Sequence, residues 1–436
     1  MFPGINLKKI AARLSGLLKG KIASNALSLY AVQGINNLLS LLVMPFLLRA
    51  LSPQGYGSIV FAQSLIGFAE VLTDFGFNFT AAREISISRD NPKEVARIYW
   101  ITTAAKLFLL CVSVGLIFLV VFLVPRFRED WPVFAASTLI LLGNVAFPKW
   151  YYQGLERLKE MALAQVIAKC VGTASILLLV KSPDDVLIAA VVLSSPMLIG
   201  AISVVMTGRS LAPDLFYRPR ISEVVLAIKE SSHLFVASIS TVLYLNTNSF
   251  VLGLVCGEKA VGLYGVGMRI VGTIQALATP FIQAVFPRAS QLFAGQADDA
   301  GWQLVKRVSW IVFPAMSLVS LVVLLMAPQL VSLLGGKNYA EAVMSVRIMS
   351  IVPLLITIDK VLSEIIMVNI GLSRLLPKIY FFIGVINLVL LWPLVRALEV
   401  NGAAISLVMA ELVVIGLMLF SIKSWRSSEL RQRTGS

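Results

Sequence analysis

Residues 56–89 read YGSIVFAQSLIGFAEVLTDFGFNFTAAREISISR, an apolar run long enough to cross a bilayer that nevertheless carries Glu70 and Asp74 well inside it. At 1.5 Å of rise per residue, Glu70 lies roughly 20 Å and Asp74 roughly 26 Å from the Gly57 end, both within a hydrocarbon layer about 30 Å thick. Being four residues apart, they share one helix face. A like-charged pair facing lipid would cost several kcal/mol. The spacing therefore predicts that this face looks into a water-filled cavity or the protein interior, or that one carboxyl is protonated.

The rest of the chain has the same character. Over 436 residues the mean hydropathy is +0.86, with 58% hydrophobic and 14% charged residues, a balance that excludes a soluble globular domain. Apolar runs of membrane-spanning length occur near 24–48, 56–82, 98–124, 132–152, 161–181, 185–208, 231–256, 262–288, 304–328, 341–368, 375–395 and 401–422. The expected fold is an all-α polytopic membrane protein with about twelve transmembrane helices. The net charge of +14 would point to nucleic acid in a soluble chain, but here its placement decides. With both termini on one side, the segments facing that side hold 25 Lys and Arg, the opposite loops 7, and five lie within spans. The positive-inside rule then predicts cytoplasmic termini, and no nucleic-acid partner is expected.

Residues 1–22 form a basic segment, amphipathic over LKKIAARLSGLLKGKI at 7–22, suited to an anionic membrane surface or to a simple positive-inside anchor. Residues 423–436 form a basic tail. Cys111, Cys170 and Cys256 are isolated, so neither a disulfide framework nor a metal site is expected. No phosphate-binding Gly loop, nucleophile motif or metal-ligand cluster appears, so no catalytic residues, enzyme activity or cofactor are expected.

The longest hydrophilic stretch, RSLAPDLFYRPRISEVVLAIKE at 209–230, contains a short amphipathic helix and divides the chain. It separates an N-lobe of six helices at 23–208 from a C-lobe of six at 231–422. Internal similarity supports duplication: SPQGYGSIVFAQ at 52–63 resembles EKAVGLYGVGMR at 258–269, aligning Tyr56-Gly57 with Tyr264-Gly265. Six spans per unit give both halves the same orientation. Pro45, Pro148, Pro196, Pro280, Pro314 and Pro353 interrupt spans and invite kinks.

Ionisable groups at membrane depth are functional candidates. Arg269, one or two turns from the outer end of the eighth span, and Lys169, about two turns from the inner end of the fifth, suit an anionic substrate or structural pairing with carboxylates. Lys106 and Lys360 are expected to snorkel to the inner headgroups, and Arg347 lies near an outer end. Glu411, about 15 Å along the last span, faces the cavity or pairs with a cation, and Asp359, Lys360 and Glu364 form a small network. The first span carries Gln33, Asn36 and Asn37, the seventh Asn246, Thr247 and Asn248. Such amides bind helices together or line a sugar-binding lumen. His233, the sole histidine, sits near an interface and is not expected to relay protons.

LTDFGFNFTAAREIS at 72–86, FPKWYYQGLERLKEMALAQVIAK at 147–169, YLNTNSFVLG at 244–253 and VGLYGVGMRIVGTIQAL at 261–277 resemble the Wzx-type polysaccharide repeat-unit flippases. These belong to the multidrug/oligosaccharidyl-lipid/polysaccharide exporter superfamily. The resemblance extends over about residues 20–425. It implies that the two lobes enclose a central cavity, and it implies alternating-access transfer of an undecaprenyl-pyrophosphate-linked oligosaccharide across the bacterial inner membrane for O-antigen or related lipopolysaccharide assembly. The implied partners are membrane lipids, a polysaccharide polymerase and a chain-length regulator.

Within that resemblance Arg269, Lys169, Asn36, Asn37, Asn246 and Asn248 are expected on the substrate, and Glu70, Asp74, Asp359 and Glu411 in gating or in coupling to H+ or Na+. Asp74 matches the acidic position of the family's second-span motif and Arg269 the basic position of its eighth. Asn248 departs from a pattern that often has Asp there, which puts ion coupling at that position in doubt. A cation-coupled multidrug exporter of the same superfamily is the alternative, which intramembrane carboxylates favour and Arg269 opposes. A membrane-embedded glycosyltransferase or polymerase would need a larger extramembrane loop.

Overall fold

The computed structural model describes residues 42–194, 216–294 and 298–434, together with positions 34, 39, 40, 199 and 202. The basic segment 1–22 and the amides Gln33, Asn36 and Asn37 lie outside the described residues, as do most of the expected sixth span beyond residue 194 and the first half of the connector. The described chain is helical throughout, without a strand.

Helix α1 covers residues 42–50. The second span is two helices, α2 (Pro53–Asp74) and α3 (Phe77–Ile87). Ser52 caps α2 by accepting from the Gly55 N–H at 3.1 Å, and Pro53 stands in the first turn, where no N–H is needed. Asn91 and Pro92 repeat that signal before α4 (Pro92–Leu123). The short α5 (Pro125–Glu129) leads to a fourth span in three pieces, α6 (Trp131–Ser137), α7 (Leu139–Ala146) and α8 (Lys149–Gly154). Then come α9 (Leu158–Leu179) and α10 (Val186–Leu193).

The second half begins with α11 (Ile221–Cys256), one unbroken helix, so the amphipathic part of the connector is the first turns of the seventh span and not a separate element. It continues with α12 (Glu258–Ala294) and α13 (Asp298–Gly335). The tenth span passes through a 3-10 turn (Lys337–Ala342), α14 (Val343–Met349), α15 (Val352–Lys360) and a π-helical stretch (Val361–Met367). Finally α16 (Leu376–Thr434) folds back on itself at Glu399, whose φ is 48°, and so supplies two antiparallel legs. Among the described residues seven segments are long and apolar enough to cross a membrane, eight counting the bent tenth span, and the last of the seven contains both legs of α16.

Two breaks bear on function. Phe75 (φ 47°) and Gly76 (φ 86°) both adopt left-handed backbone and end α2 at Asp74. A Cβ at position 76 would also come within 2.6 Å of the Leu234 side chain, so glycine is required there twice over. Phe75 has no such freedom, and its strained backbone is held by a parallel stack on Phe235 of α11, centroids 4.4 Å apart. The expected single helix over 56–82 is thus interrupted. The other break is Phe147–Pro148, between α7 and α8.

The apolar cores show how the halves meet. One large cluster joins both: Leu48, Ile59, Phe61, Val121 and Phe134 from the first pack with Leu252, Val261, Tyr339, Val395 and Ala403 from the second. At the opposite end each half has its own core, one around Tyr99 and Trp150, the other around Ile282, Ile365 and Met418. The two halves are therefore welded at one end, here the closed end; at the other each has its own core, and the start of α11 bridges them through Val224, Ala227 and Ile228 packed on Phe77, Ala105 and Leu109.

Candidate functional site

The closed end is a crossing of α2 and α12, the two helices that carry the duplicated Tyr-Gly pair. A Cβ on Gly57 would collide with the Glu258 carbonyl, and a Cβ on Gly262 with the Pro53 carbonyl. Each glycine thus leaves room for the backbone of the other helix, the close approach that small residues allow between membrane helices. Tyr56 and Tyr264 are buried beside the crossing. Arg126 adds an ion pair to Glu258 at 3.6 Å and donates to the Leu254 carbonyl at 2.9 Å. Arg49 reaches the Leu333 carbonyl at 2.8 Å.

About two turns beyond Gly262 along α12, Arg269 hydrogen-bonds the Tyr56 phenol of the other half. Its guanidinium is open to water although helices surround it, which is the signature of a side chain facing an internal cleft. Lys169 of α9, half-buried, lies within electrostatic reach of Arg269. The sequence placed the two cations near different ends of their spans. The structure sets them, one from each half, within each other's electrostatic field, and neither takes part in an ion pair among those found in the described residues. Two like charges in a membrane protein without a carboxylate partner are stabilised by an anion or by water beside them.

Glu70 and Asp74 do not face that cleft as a bare pair; each has its own partner inside the first half. The Lys106 ammonium of α4 is 3.0 Å from Asp74 and 2% exposed. The expected snorkelling of Lys106 is therefore wrong, because its ammonium is drawn inward by a carboxylate that the break after Asp74 leaves at a helix end. The same ammonium donates to the Asn144 carbonyl at 3.4 Å. That carbonyl is free because residue 148, whose N–H would bond it in a continuous helix, is proline. The Asn144 side-chain amide donates in turn to Glu70.

In the second half Asp359 is 8% exposed and accepts from the Tyr380 hydroxyl at 3.1 Å on both oxygens. Glu411, 2% exposed, lies near the same phenol. Lys360 donates to Thr279 of α12 at 2.6 Å, a tie to a neighbouring helix in place of the expected reach to headgroups. Glu364 stands in the π-helical stretch, a local distortion that sequence periodicity does not reveal. Arg347 is exposed.

The amides divide. Asn248, 2% exposed, donates to Tyr264 at 3.3 Å and to the Ala403 carbonyl at 3.2 Å, and accepts from Asn387 at 2.7 Å; Asn387 accepts from Ser406. All of these groups are enclosed between α11, α12 and α16, so the Asn248 amide is used up in joining helices. Asn246 packs against Gly67 of α2, in contact so close that a Cβ at 67 would overlap its amide. Asn36 and Asn37 lie outside the described residues. The aromatic run Trp150-Tyr151-Tyr152 is buried around Tyr99 and serves as core.

At the opposite end a polar pocket of about 330 Å³ lies between α3, α4 and the start of α11, lined by Glu84, Glu94, Arg97, Glu223 and Glu230 among others. Arg97 pairs there with Glu223 at 2.9 Å, and the Tyr217 hydroxyl donates to the same carboxylate at 2.8 Å. The Arg220 backbone N–H, the Tyr217 hydroxyl and the Arg97 guanidinium together hold the Glu223 carboxyl down at about 2. Thr80 and Ser231 bond at 2.9 Å, so α11 is also fastened to the first half. Among the described residues no group of three His, Cys, Asp or Glu side chains is arranged to hold a metal ion.

A profile described as polysaccharide biosynthesis protein matches residues 22–293. A protein of Escherichia coli K12 named "Putative O-antigen transporter" is 27% identical over 413 residues, covering 93% of this chain and 98% of that protein. A Shigella dysenteriae protein of the same name is 27% identical over 402 residues, covering 92% and 99%. Among solved structures, lipid II flippase MurJ in an inward closed conformation aligns with TM-score 0.66 at 12% identity, covering 92% of this chain and 87% of that one. An inward-facing multidrug resistance transporter of the MATE family aligns with TM-score 0.63 at 13% identity, covering 91% and 96%. At these identities the two structures speak for the fold alone, an all-helical polytopic membrane protein.

Proposed function

The chain belongs to the polysaccharide biosynthesis protein family, and on that premise we propose that it is a flippase for a lipid-linked oligosaccharide. The substrate is an undecaprenyl-pyrophosphate-linked repeat unit for O-antigen or a related surface polysaccharide. The observation that carries the reading is that Lys169 and Arg269, cations of different halves, lie within electrostatic reach of each other, with no ion pair to either among those found in the described residues. A pyrophosphate supplies the anion that these two cations lack, while a polyprenyl tail stays in lipid between the lobes and the sugars occupy the cleft. The lobes are held together at one end by the glycine crossing and have separate cores at the other. That asymmetry supports rigid-body alternating access.

The excess of Lys and Arg, 25 against 7, supports an orientation with both termini in the cytoplasm of the bacterial inner membrane and the closed end facing outward. The pose is then inward-facing, ready to load. Coupling to H+ or Na+ belongs to this proposal through Glu70, Asp74, Asp359 and Glu411. Of these, Asp359 and Glu411 have a phenol as neighbour and Asp74 an ammonium. Membrane lipids are the surrounding partners, and a polymerase and a chain-length regulator act on the product.

The test is the leaflet distribution of lipid-linked oligosaccharide in a strain depleted of this protein and complemented with wild type or Arg269→Ala. Cytoplasmic-side accumulation relieved by wild type and not by an equally expressed Arg269→Ala chain is the expected result. No accumulation, with altered drug sensitivity instead, would replace the proposal with a multidrug exporter.

A further inference from the structure

Helices that stop inside a membrane create places for cations. The C-terminal end of a half-helix carries the negative pole of its dipole and unbonded carbonyls, and transporters with discontinuous helices bind their coupling cation at such ends. The first half of this protein builds that arrangement from two helices at once. Residue Asp74 is the last of α2, so its carboxylate and the negative end of the helix coincide. Across from it, Pro148 removes the donor that the Asn144 carbonyl would otherwise have. One carboxylate, one helix end and one freed carbonyl converge on a single point.

That point is occupied by the chain itself. Lys106 Nζ lies 3.0 Å from the Asp74 carboxylate and 3.4 Å from the Asn144 carbonyl, and its side chain is 3% exposed. An ammonium is a compact monovalent cation of about the reach of a partly hydrated alkali ion, carried here on a four-carbon stem. In the second half the buried carboxylate of Asp359 is met by a phenol.

We propose that the Lys106 ammonium is a tethered cation that takes the place of a free one, so that the first half is neutralised from within and binds no exchangeable Na+ at Asp74. This does not depend on the substrate reading, but it narrows the coupling set proposed above to Glu70, Asp359 and Glu411. It removes Asp74 from the set of coupling groups and gives it the role of anchoring a charge that the chain carries along. Lys106, in turn, is a positioning residue for the junction of the broken second and fourth spans.

The experiment measures the thermal midpoint of the purified full-length protein in lipid nanodiscs, by tryptophan fluorescence, in sodium, methylammonium or choline chloride at equal ionic strength. Truncating the lysine should leave a cation-sized space against Asp74. Lys106→Ala is expected to lower the midpoint by several degrees, and sodium or methylammonium to restore at least half of that loss while the larger choline restores none. Adding Asp74→Asn should abolish the selectivity for small cations. A loss in Lys106→Ala that no small cation restores would overturn the proposal, leaving an ordinary ion pair.

The paired variant Asp74→Asn/Lys106→Met, neutral and close in volume, keeps the test open should Lys106→Ala not fold. Wild type and the paired variant are expected to respond identically to sodium against choline. A sodium response in wild type that the paired variant loses would show an exchangeable site at Asp74 and overturn the proposal equally.

Discussion

Gly262→Ala perturbs the closed end in a way that side chains cannot absorb. The new Cβ lands on the Pro53 carbonyl, and a Cβ on Gly57 lands on the Glu258 carbonyl. Both obstacles are main chain, so relief requires the helices to move apart. Overpacking of this kind costs about 1–3 kcal/mol, and the cost applies only while α2 and α12 are crossed. The balance between closed and opened forms of this end should therefore shift about 5- to 150-fold toward opening. Ser58, 5% exposed beside the crossing, supplies the reporter. In a Ser58→Cys chain with Cys111, Cys170 and Cys256 replaced by Ser, the rate of maleimide labelling in nanodiscs should rise by that factor on adding Gly262→Ala. Gly57→Ala should act similarly, and the pair less than additively, because both open one contact. Gly416→Ala, where nothing lies within 4 Å of the new Cβ, should leave labelling unchanged. Labelling in Gly262→Ala no faster than in the parent, at normal expression, would refute the gate.

Asn248→Asp should destabilise the protein by about 1–3 kcal/mol, since the carboxylate loses the donations to Tyr264 and Ala403 and sets an oxygen against the Ala403 carbonyl; its thermal midpoint should fall further than that of the exposed control Asn338→Asp in the same lipid, and equal midpoints would refute the packing role. The Glu223 anchor of the 217–223 turn is ionised in the folded chain down to about 2, against 4.5 for the free group. Its folded-state value being depressed, its stabilisation is complete above about 4.5 and is lost as pH falls toward 2. Amide exchange at residues 217–226 should accelerate in that acid window in wild type and show no such step in Glu223→Gln.

The duplicated Tyr-Gly pair was legible in the sequence as a repeat, and its copies meet at the crossing, where Tyr56 lies against Gly265, although the glycine that admits the other backbone from α12 is Gly262. Arg269 and Lys169 were legible as cations at depth, since nothing but charge and position in an apolar run is needed to find them. Their nearness was not, because the phase of one helix against another twelve spans' worth of packing is absent from any single run of residues. Lys106 failed for the same reason: counting residues to the nearest headgroup said nothing of a carboxylate on a different helix. The break at Phe75 escaped because a left-handed phenylalanine has no sequence signal beyond the Gly76 that follows it, and Asn248 read equally as lumen or packing until Asn387 and Ser406 were placed beside it. Pro148 was visible as a kink, but its freed carbonyl acquired meaning only with Lys106 in place.

The turn at Glu399 has a consequence for how the chain is made. Asn387 and Ser406 lie on the two legs of α16 and bond each other, so the last two helices can leave the translocon as a hairpin whose polar groups are already matched before lipid closes around them. Asn248 finds only the Tyr264 hydroxyl on the next helix. The donor to its own oxygen, Asn387, is 139 residues further on, and until that residue is synthesised α11 holds a half-matched amide within the bilayer. Assembly of the second half must therefore finish with the hairpin docking onto a helix that has been waiting for it, which makes the final insertion event also the one that locks the lobe.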